Sequence, residues 1–189
     1  IGATRISIPP TLLVTAIGQL EDSGRAVTMD VKKPEDQVYI VGATHNDLGA
    51  THYFAQMKYK GGSSPRLRDP KTTIEIYRWL HRAMRNSLVA SCHDVSDGGL
   101  GVTLAETSFA GGLGLIVDLR EIPGENADQD DTLLFSETPG RFIVTVAQEA
   151  AQSFEILMGG AVKRIGNVTA DQRLVITGLG GKTIIDEDV

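Results

Sequence analysis

A chain of 189 residues that is 41% hydrophobic, 22% charged and only 5% aromatic, with a formal net charge of -6, has the make-up of one globular domain able to bury a core without staples. The acidic balance, the scattered Lys and Arg and the scarcity of rings exclude a nucleic-acid surface, which needs basic stripes or stacking aromatics. No apolar run has membrane-spanning length, no signal peptide opens the chain, and the single cysteine, Cys92, excludes an internal disulfide, so a reducing, cytoplasmic setting is expected.

In chain order, the apolar run Leu12 to Gly18 and the partly alternating Ala26 to Val31 flank the polar turn Glu21-Asp22-Ser23-Gly24, and read as two adjacent strands. Val38 to Gly42 is continuously apolar and of strand length, which predicts a strand buried on both sides. Asp47 to Lys60 reads as a short helix or loop, its Asn46 to Thr51 portion capping the helix, and it runs into the breaker cluster Gly61-Gly62-Ser63-Ser64-Pro65. From Asp69-Pro70 the period changes: Ile74, Tyr77, Leu80 or His81, Met84 and Leu88 recur at helical spacing, with Asp69 as N-cap and Pro70 in the first turn.

A second helix is expected from Gly98 to Ala110, ended by Gly111-Gly112, and a strand from Leu113 to Leu119. The acidic stretch Glu121 to Asp131 reads as an exposed loop, Arg141 to Val146 as a strand, and Gln148 to Met158 as a helix with Ala151, Phe154, Leu157 and Met158 inward. Lys163 to Val168 and Arg173 to Thr177 read as strands, the latter forming a hairpin with Lys182 to Ile185 across Gly178-Leu179-Gly180-Gly181. The closing residues Ile184 to Val189 read as a strand running into the opening of a further helix, and Ile1 is not an initiator residue. Residues 1–189 are therefore expected to be one domain of a longer, multidomain chain. Strands alternating irregularly with three helices predict an α/β or α+β sandwich.

The densest chemistry lies in Cys92-His93-Asp94-Val95-Ser96-Asp97-Gly98-Gly99-Leu100-Gly101. A strand-like approach ends in two carboxylates, a hydroxyl and paired glycines, and then a helix begins. Helix N-termini favour anions, whereas Asp94 and Asp97 repel them; a Mg2+ ion held between carboxylate and phosphate reconciles the two. The plainer alternative makes Ser96 or Asp97 the N-cap and the glycines a tight turn. His93 either orients Asp94 or is an ordinary hydrogen-bonded histidine at a strand end. Cys92 and His93 point to opposite faces of a strand, so Cys92 reads as a buried structural thiol. His45 and His52 share no recognised zinc-ligand spacing, so no zinc site is expected, and His81 reads as a helix-surface residue. In Phe135-Ser136-Glu137-Thr138-Pro139-Gly140-Arg141, Glu137 and Arg141 bracket a Pro-Gly turn. Either Glu137 is aimed at a cleft or the two form an incidental surface ion pair.

These residues resemble those of the phosphoribosylformylglycinamidine synthase family. The resemblance is carried by His93 to Leu100, Ala105-Glu106, Phe109 to Gly112, Ile8 to Leu13, Ala26 to Asp30, Asp47-Leu48-Gly49, Phe135-Ser136-Glu137 with Arg141-Phe142, and Ile165 to Val168. It implies the C-terminal domain of the second of two tandem units akin to aminoimidazole ribonucleotide synthetase: an α/β/α sandwich around a mixed sheet, partly ferredoxin-like. The family is an ATP- and glutamine-dependent carbon–nitrogen ligase of purine biosynthesis. It converts formylglycinamide ribonucleotide to the amidine, using ATP and Mg2+ to activate the formamide oxygen before ammonia displaces phosphate.

The resemblance further implies an auxiliary ATP/ADP site. There Asp94 is the Mg2+ ligand, and His93, Ser96, Asp97, Gly98, Gly99, Ser136 and Glu137 contact nucleotide or phosphate; no catalytic residue is carried over. Glu137-Thr138-Pro139 departs from the family's Glu-Ser-Gln, and Ala50-Thr51 from its Gly-Ser. The implied partners are upstream domains of the same chain, a glutaminase subunit or domain, and a small adaptor subunit in enzymes of the small type. The isolated chain is expected to fold without turning over. The rival expectations are a non-catalytic scaffold and docking domain, or another ATP-dependent member of the same superfamily.

Overall fold

The computed structural model describes residues 12–189, so most of the Ile8 to Leu13 block lies outside the described residues. Its centre is a seven-stranded sheet of β1 (Gln37–Val41), β3 (Ser91–Asp94), β4 (Gly114–Asp118), β6 (Phe142–Val146), β7 (Val162–Thr169), β8 (Arg173–Thr177) and β9 (Thr183–Asp188). The order across the sheet is β3-β6-β1-β7-β4-β8-β9, antiparallel except for the β4–β8 pair. A second, parallel pair joins β2 (Thr44–His45) to β5 (Gly124–Glu125).

Five α-helices lie among the described residues: α1 (His52–Gln56), α2 (Pro70–Arg85), α3 (Gly99–Gly111), α4 (Asp130–Phe135) and α5 (Ala151–Met158). The period of two in β1 explains the layering. Val38 and Ile40 face a core shared with Leu100 and Leu104 of α3 and Leu133 and Leu134 of α4. Tyr39 and Val41 face the other way, onto Leu80 and Ala83 of α2 and Phe154 and Met158 of α5. A strand covered on both sides reads as a continuous apolar run, as Val38 to Val41 does. The result is the expected α/β/α sandwich around a mixed sheet.

Local signals act where the chain places them. The Asp69 carboxylate accepts from Lys71 N and Thr72 N, both at 3.1 Å, and Pro70 opens α2. The predicted stripe of α2 turns inward through Leu80, Met84 and Leu88 but not at its start. Leu80 and Ala83 are buried with Ile76 packed beside them, while Ile74 and Tyr77 remain 49% and 41% exposed. Gly112 ends α3 in the left-handed conformation.

Three expectations fail. Leu12 to Gly18 and Ala26 to Val31 are not strands: the first is exposed throughout, and the second reaches β3 through one backbone bond, Cys92 N to Thr28 O at 3.0 Å. One such bond builds no ladder, and Val31 is buried against α3 instead. Glu121 to Asp131 is not merely an exposed loop, because it buries Ile122, contributes β5 and opens α4. Asp186 to Asp188 begin no helix; they extend β9, where Arg173 on β8 pairs with Asp186 and Asp188.

Candidate functional site

The sheet ends where β3 runs out at Asp94 and β6 starts at Phe142, paired in register. Val95 N donates to Arg141 O at 2.9 Å, closing the corner, and the chain then turns through Ser96 and Asp97 into α3. Neither Ser96 nor Asp97 caps that helix. The cap is Gly98, at φ +80°, with no side-chain bond of its own. Its N–H is taken from a distance, by Glu137 Oε1 at 2.9 Å. The same oxygen accepts from His52 N at 2.9 Å and lies 3.2 Å from His52 Nδ1, so one carboxylate ties the starts of α1 and α3 together.

The second glycine has a different reason. A Cβ on Gly99 would stand 2.7 Å from the carbonyl oxygens of Leu134 and Ser136, so the space it leaves is filled by protein backbone and not by a ligand. Ser136 is fully buried; its Oγ accepts from Asp47 N at 3.2 Å and its carbonyl from Arg141 Nη2 at 2.5 Å.

Beneath the corner lies a buried polar knot. Asp47 is fully buried and accepts from both Nη atoms of Arg68 at 2.7 Å and from Thr138 Oγ1 at 2.9 Å. Burial alone would raise its pKa; the hydrogen bonds and charge of Arg68, with Thr138, outweigh that and hold it below the ordinary carboxylate value. Arg141, 1% exposed, donates to Thr138 O, Thr44 Oγ1 and Ser136 O. Burial pushes its pKa down to about 10, which leaves it charged at neutral pH. No Glu137–Arg141 ion pair forms among the described residues, because the guanidinium turns inward to carbonyls.

Above the knot opens a cavity of about 380 Å³. Asp94, Ser96, Asp97 and Glu137 line it together with Tyr77, Pro139, Arg141 and Phe142. Asp94 is 64% exposed at its rim, 3.5 Å from His93 Nδ1. His93 lies behind the wall, its Nε2 2.9 Å from Glu106 Oε2, a strut between β3 and α3. Of the eight site residues named from sequence, the structure brings Asp94, Ser96, Asp97 and Glu137 onto the cavity. Gly98 lends only its N–H to Glu137, and His93, Gly99 and Ser136 act behind the surface. Cys92 is half-buried, and its burial pushes the thiol up to about 12.

Sequence reasoning missed His52, which joins Asp97 and Glu137 across 45 and 85 positions; no local spacing carries that information. It also missed the Asp47–Arg68 pair, for which the only sequence signal is a lone acid in a Gly-containing loop. The loop Asn46 to Thr51 does cap the helix after it, Thr51 Oγ1 accepting from Phe54 N at 3.3 Å. Ala50 sits there at φ +63°, a conformation that favours glycine. With three carboxylates on the cavity and the Arg141 guanidinium turned away, the corner repels a bare anion and suits a cation bound through oxygen.

The chain belongs to the family of AIR synthase related protein C-terminal domains, whose model matches residues 33–178. Among curated proteins it is similar to the phosphoribosylformylglycinamidine synthase subunit PurL of Limosilactobacillus reuteri, 39% identical over 173 residues, and to that of Lactobacillus helveticus, 37% identical over 170 residues. Each alignment covers 90% of this chain and 22% of the relative, so the chain spans about a fifth of the length of these proteins. Among solved structures, T. maritima PurL complexed with FGAR matches with a TM-score of 0.76 at 19% identity, over 88% of this chain and 29% of that one. The hydrogenase maturation protein HypE in complex with ATP matches with a TM-score of 0.61 at 16% identity, over 88% of this chain and 54% of that one. At such identities these likenesses show the fold.

Proposed function

We propose that this chain is the C-terminal domain of the second tandem unit of a phosphoribosylformylglycinamidine synthase, and that its cavity is an auxiliary nucleotide site. The observation that carries the assignment is the 37–39% identity to two synthase subunits over 90% of the chain. The parent would be an ATP- and glutamine-dependent carbon–nitrogen ligase, working in the cytoplasm with upstream domains of its own chain, a glutaminase and, in small-type enzymes, an adaptor subunit. In the solved relatives, T. maritima PurL is described in complexes with ATP and with ADP, and as part of an assembly called PurLQS.

The donor set fits a hard cation. Asp94 and Asp97 offer carboxylate oxygens and Ser96 a hydroxyl on one polar wall, the oxygen-only chemistry that Mg2+ prefers. When bound, Mg2+ would supply charge neutralisation between these acids and a phosphate. The chain's own residues do the rest: Asp94 at the end of β3 would be a ligand, and Glu137 keeps the first turn of α3 in place. Turnover is not assigned to any residue here. Isolated and mixed with ATP, formylglycinamide ribonucleotide and ammonia, the chain should release no ADP above a blank.

One observation favours a second reading, that of a scaffold and docking domain: the Gly98 N–H a phosphate would use is already bonded to Glu137. Tightly bound nucleotide, extracted and quantified from the parent enzyme and from its Asp94→Ala variant, separates the two. Loss of bound nucleotide in the variant supports the auxiliary site, and unchanged content supports the scaffold.

A further inference from the structure

Beside the cavity, His52 joins two of its lining residues, Asp97 and Glu137, in a constellation that adds an imidazole to the carboxylates of the nucleotide reading. His52 begins α1, Asp97 lies in the turn before α3, and Glu137 follows α4, so the three come from separate segments. His52 Nδ1 is 3.2 Å from Glu137 Oε1 and 4.0 Å from Asp97 Oδ1, and one ligand atom from each residue lies within 4.8 Å of the other two. Metal–nitrogen and metal–oxygen bonds of about 2.0–2.2 Å put neighbouring ligand atoms roughly 3–4 Å apart, so His52 stands at coordinating distance from both carboxylates and the triangle needs at most a small closure of the exposed Asp97.

We propose that His52, Asp97 and Glu137 form a binding site for a divalent first-row transition metal, with its remaining coordination positions open to the cavity. Three features select that class. The imidazole nitrogen sets the site apart from the oxygen-only set around Asp94: imidazole suits zinc, cobalt and nickel, while Mg2+ favours oxygen throughout. Three protein ligands with solvent on the remaining side describe an open site and not a closed structural one. Glu137 is also held before any metal arrives. Backbone N–H groups of His52 and Gly98 fix its Oε1, its side chain is only 12% exposed, and orientation of this kind raises metal affinity. Asp97 and His52, 85% and 69% exposed, are free to close on an ion at little cost in packing.

The inference goes beyond the nucleotide reading and does not depend on it. Its test is Co2+ titration of the parent enzyme, freed of metal and held in excess Mg2+, followed by visible absorption and by counting bound equivalents. The expected result is one equivalent of Co2+ whose spectrum reports nitrogen ligation. His52→Ala and Glu137→Gln should each weaken it by at least about ten-fold, whereas Asp94→Ala should leave it in place. Both His52 and Asp94 are exposed, and circular dichroism of each variant checks that the fold is kept. Equal Co2+ uptake by the wild type and a folded His52→Ala overturns the proposal, as does loss of the equivalent in Asp94→Ala or full displacement by Mg2+. Failure of the nucleotide site would show instead in the nucleotide content of Asp94→Ala, with Co2+ binding intact.

Discussion

The two buried regions next to β1 and β6 are built on opposite principles. On the α2/α5 side, Tyr39, Val41, Val144, Val146, Leu80, Ala83, Phe154 and Met158 close by burial and shape, with Tyr39 and Phe154 meeting edge to face at 5.2 Å. Under the cavity, Asp47, Arg68, Arg141, Ser136, Thr138 and Thr44 close by hydrogen bonds between polar groups that all need partners. The apolar side has many acceptable fillings of similar volume. The polar knot has few, because each deletion strands a buried acceptor or charge. It is the knot that fixes the 136–138 segment, and with it Glu137.

The contrast breaks or holds on a paired measurement. Arg141→Met should lower stability by on the order of 5 kcal/mol in denaturant unfolding, since three buried acceptors lose their donor at about 1–3 kcal/mol each. Phe154→Leu should cost about 1–2 kcal/mol. Equal losses would show that the knot is no more exacting than the apolar face.

Next in size is a pH effect. Asp47 has its pKa held below the ordinary value in the folded state, so its contribution is present above the unfolded carboxylate pKa and disappears as pH falls through the folded one. The stability gap between wild type and Asp47→Asn should therefore be full at neutral pH and shrink below about pH 4. A gap that widens on acidification contradicts this account.

Smaller still, Ala50→Gly should stabilise by about 1 kcal/mol by releasing a left-handed alanine; a drop in melting temperature would mean that the strain lies elsewhere. Least of all, Asp94→Ala at the exposed rim should stay within about 0.5 kcal/mol of wild type, so that any loss of bound nucleotide in that variant is a site effect.

The same contrast explains what the sequence could reveal. The continuous apolar run Val38 to Val41, the Asp69-Pro70 start of α2 and the Gly112 stop of α3 are local statements, and the structure follows each. The Leu12 to Gly18 run misleads because an apolar stretch becomes a strand only beside another strand, and none lies there among the described residues. Ile74 and Tyr77 mislead because an apolar helical stripe does not say which of its edges meets the sheet. The cavity was half legible: a turn dense in Asp, Ser and Gly announced Asp94 and Asp97. The capping of α3 from Glu137, 39 positions away, and the approach of His52 depend on tertiary placement alone.

The close contact at Gly99 has a mechanical consequence. With the 134–136 backbone filling the place of its side chain, the start of α3 and the segment leading to Glu137 move as one block, and a larger residue at position 99 would wedge them apart. Next to that block lies α1, five residues with none buried, held to it through the bonds of His52 to Glu137. Segments with so little buried area open at the lowest cost. Any strain on Glu137 is therefore met by one fixed body and one that yields, and the adjustment falls on His52 and the turn of helix behind it.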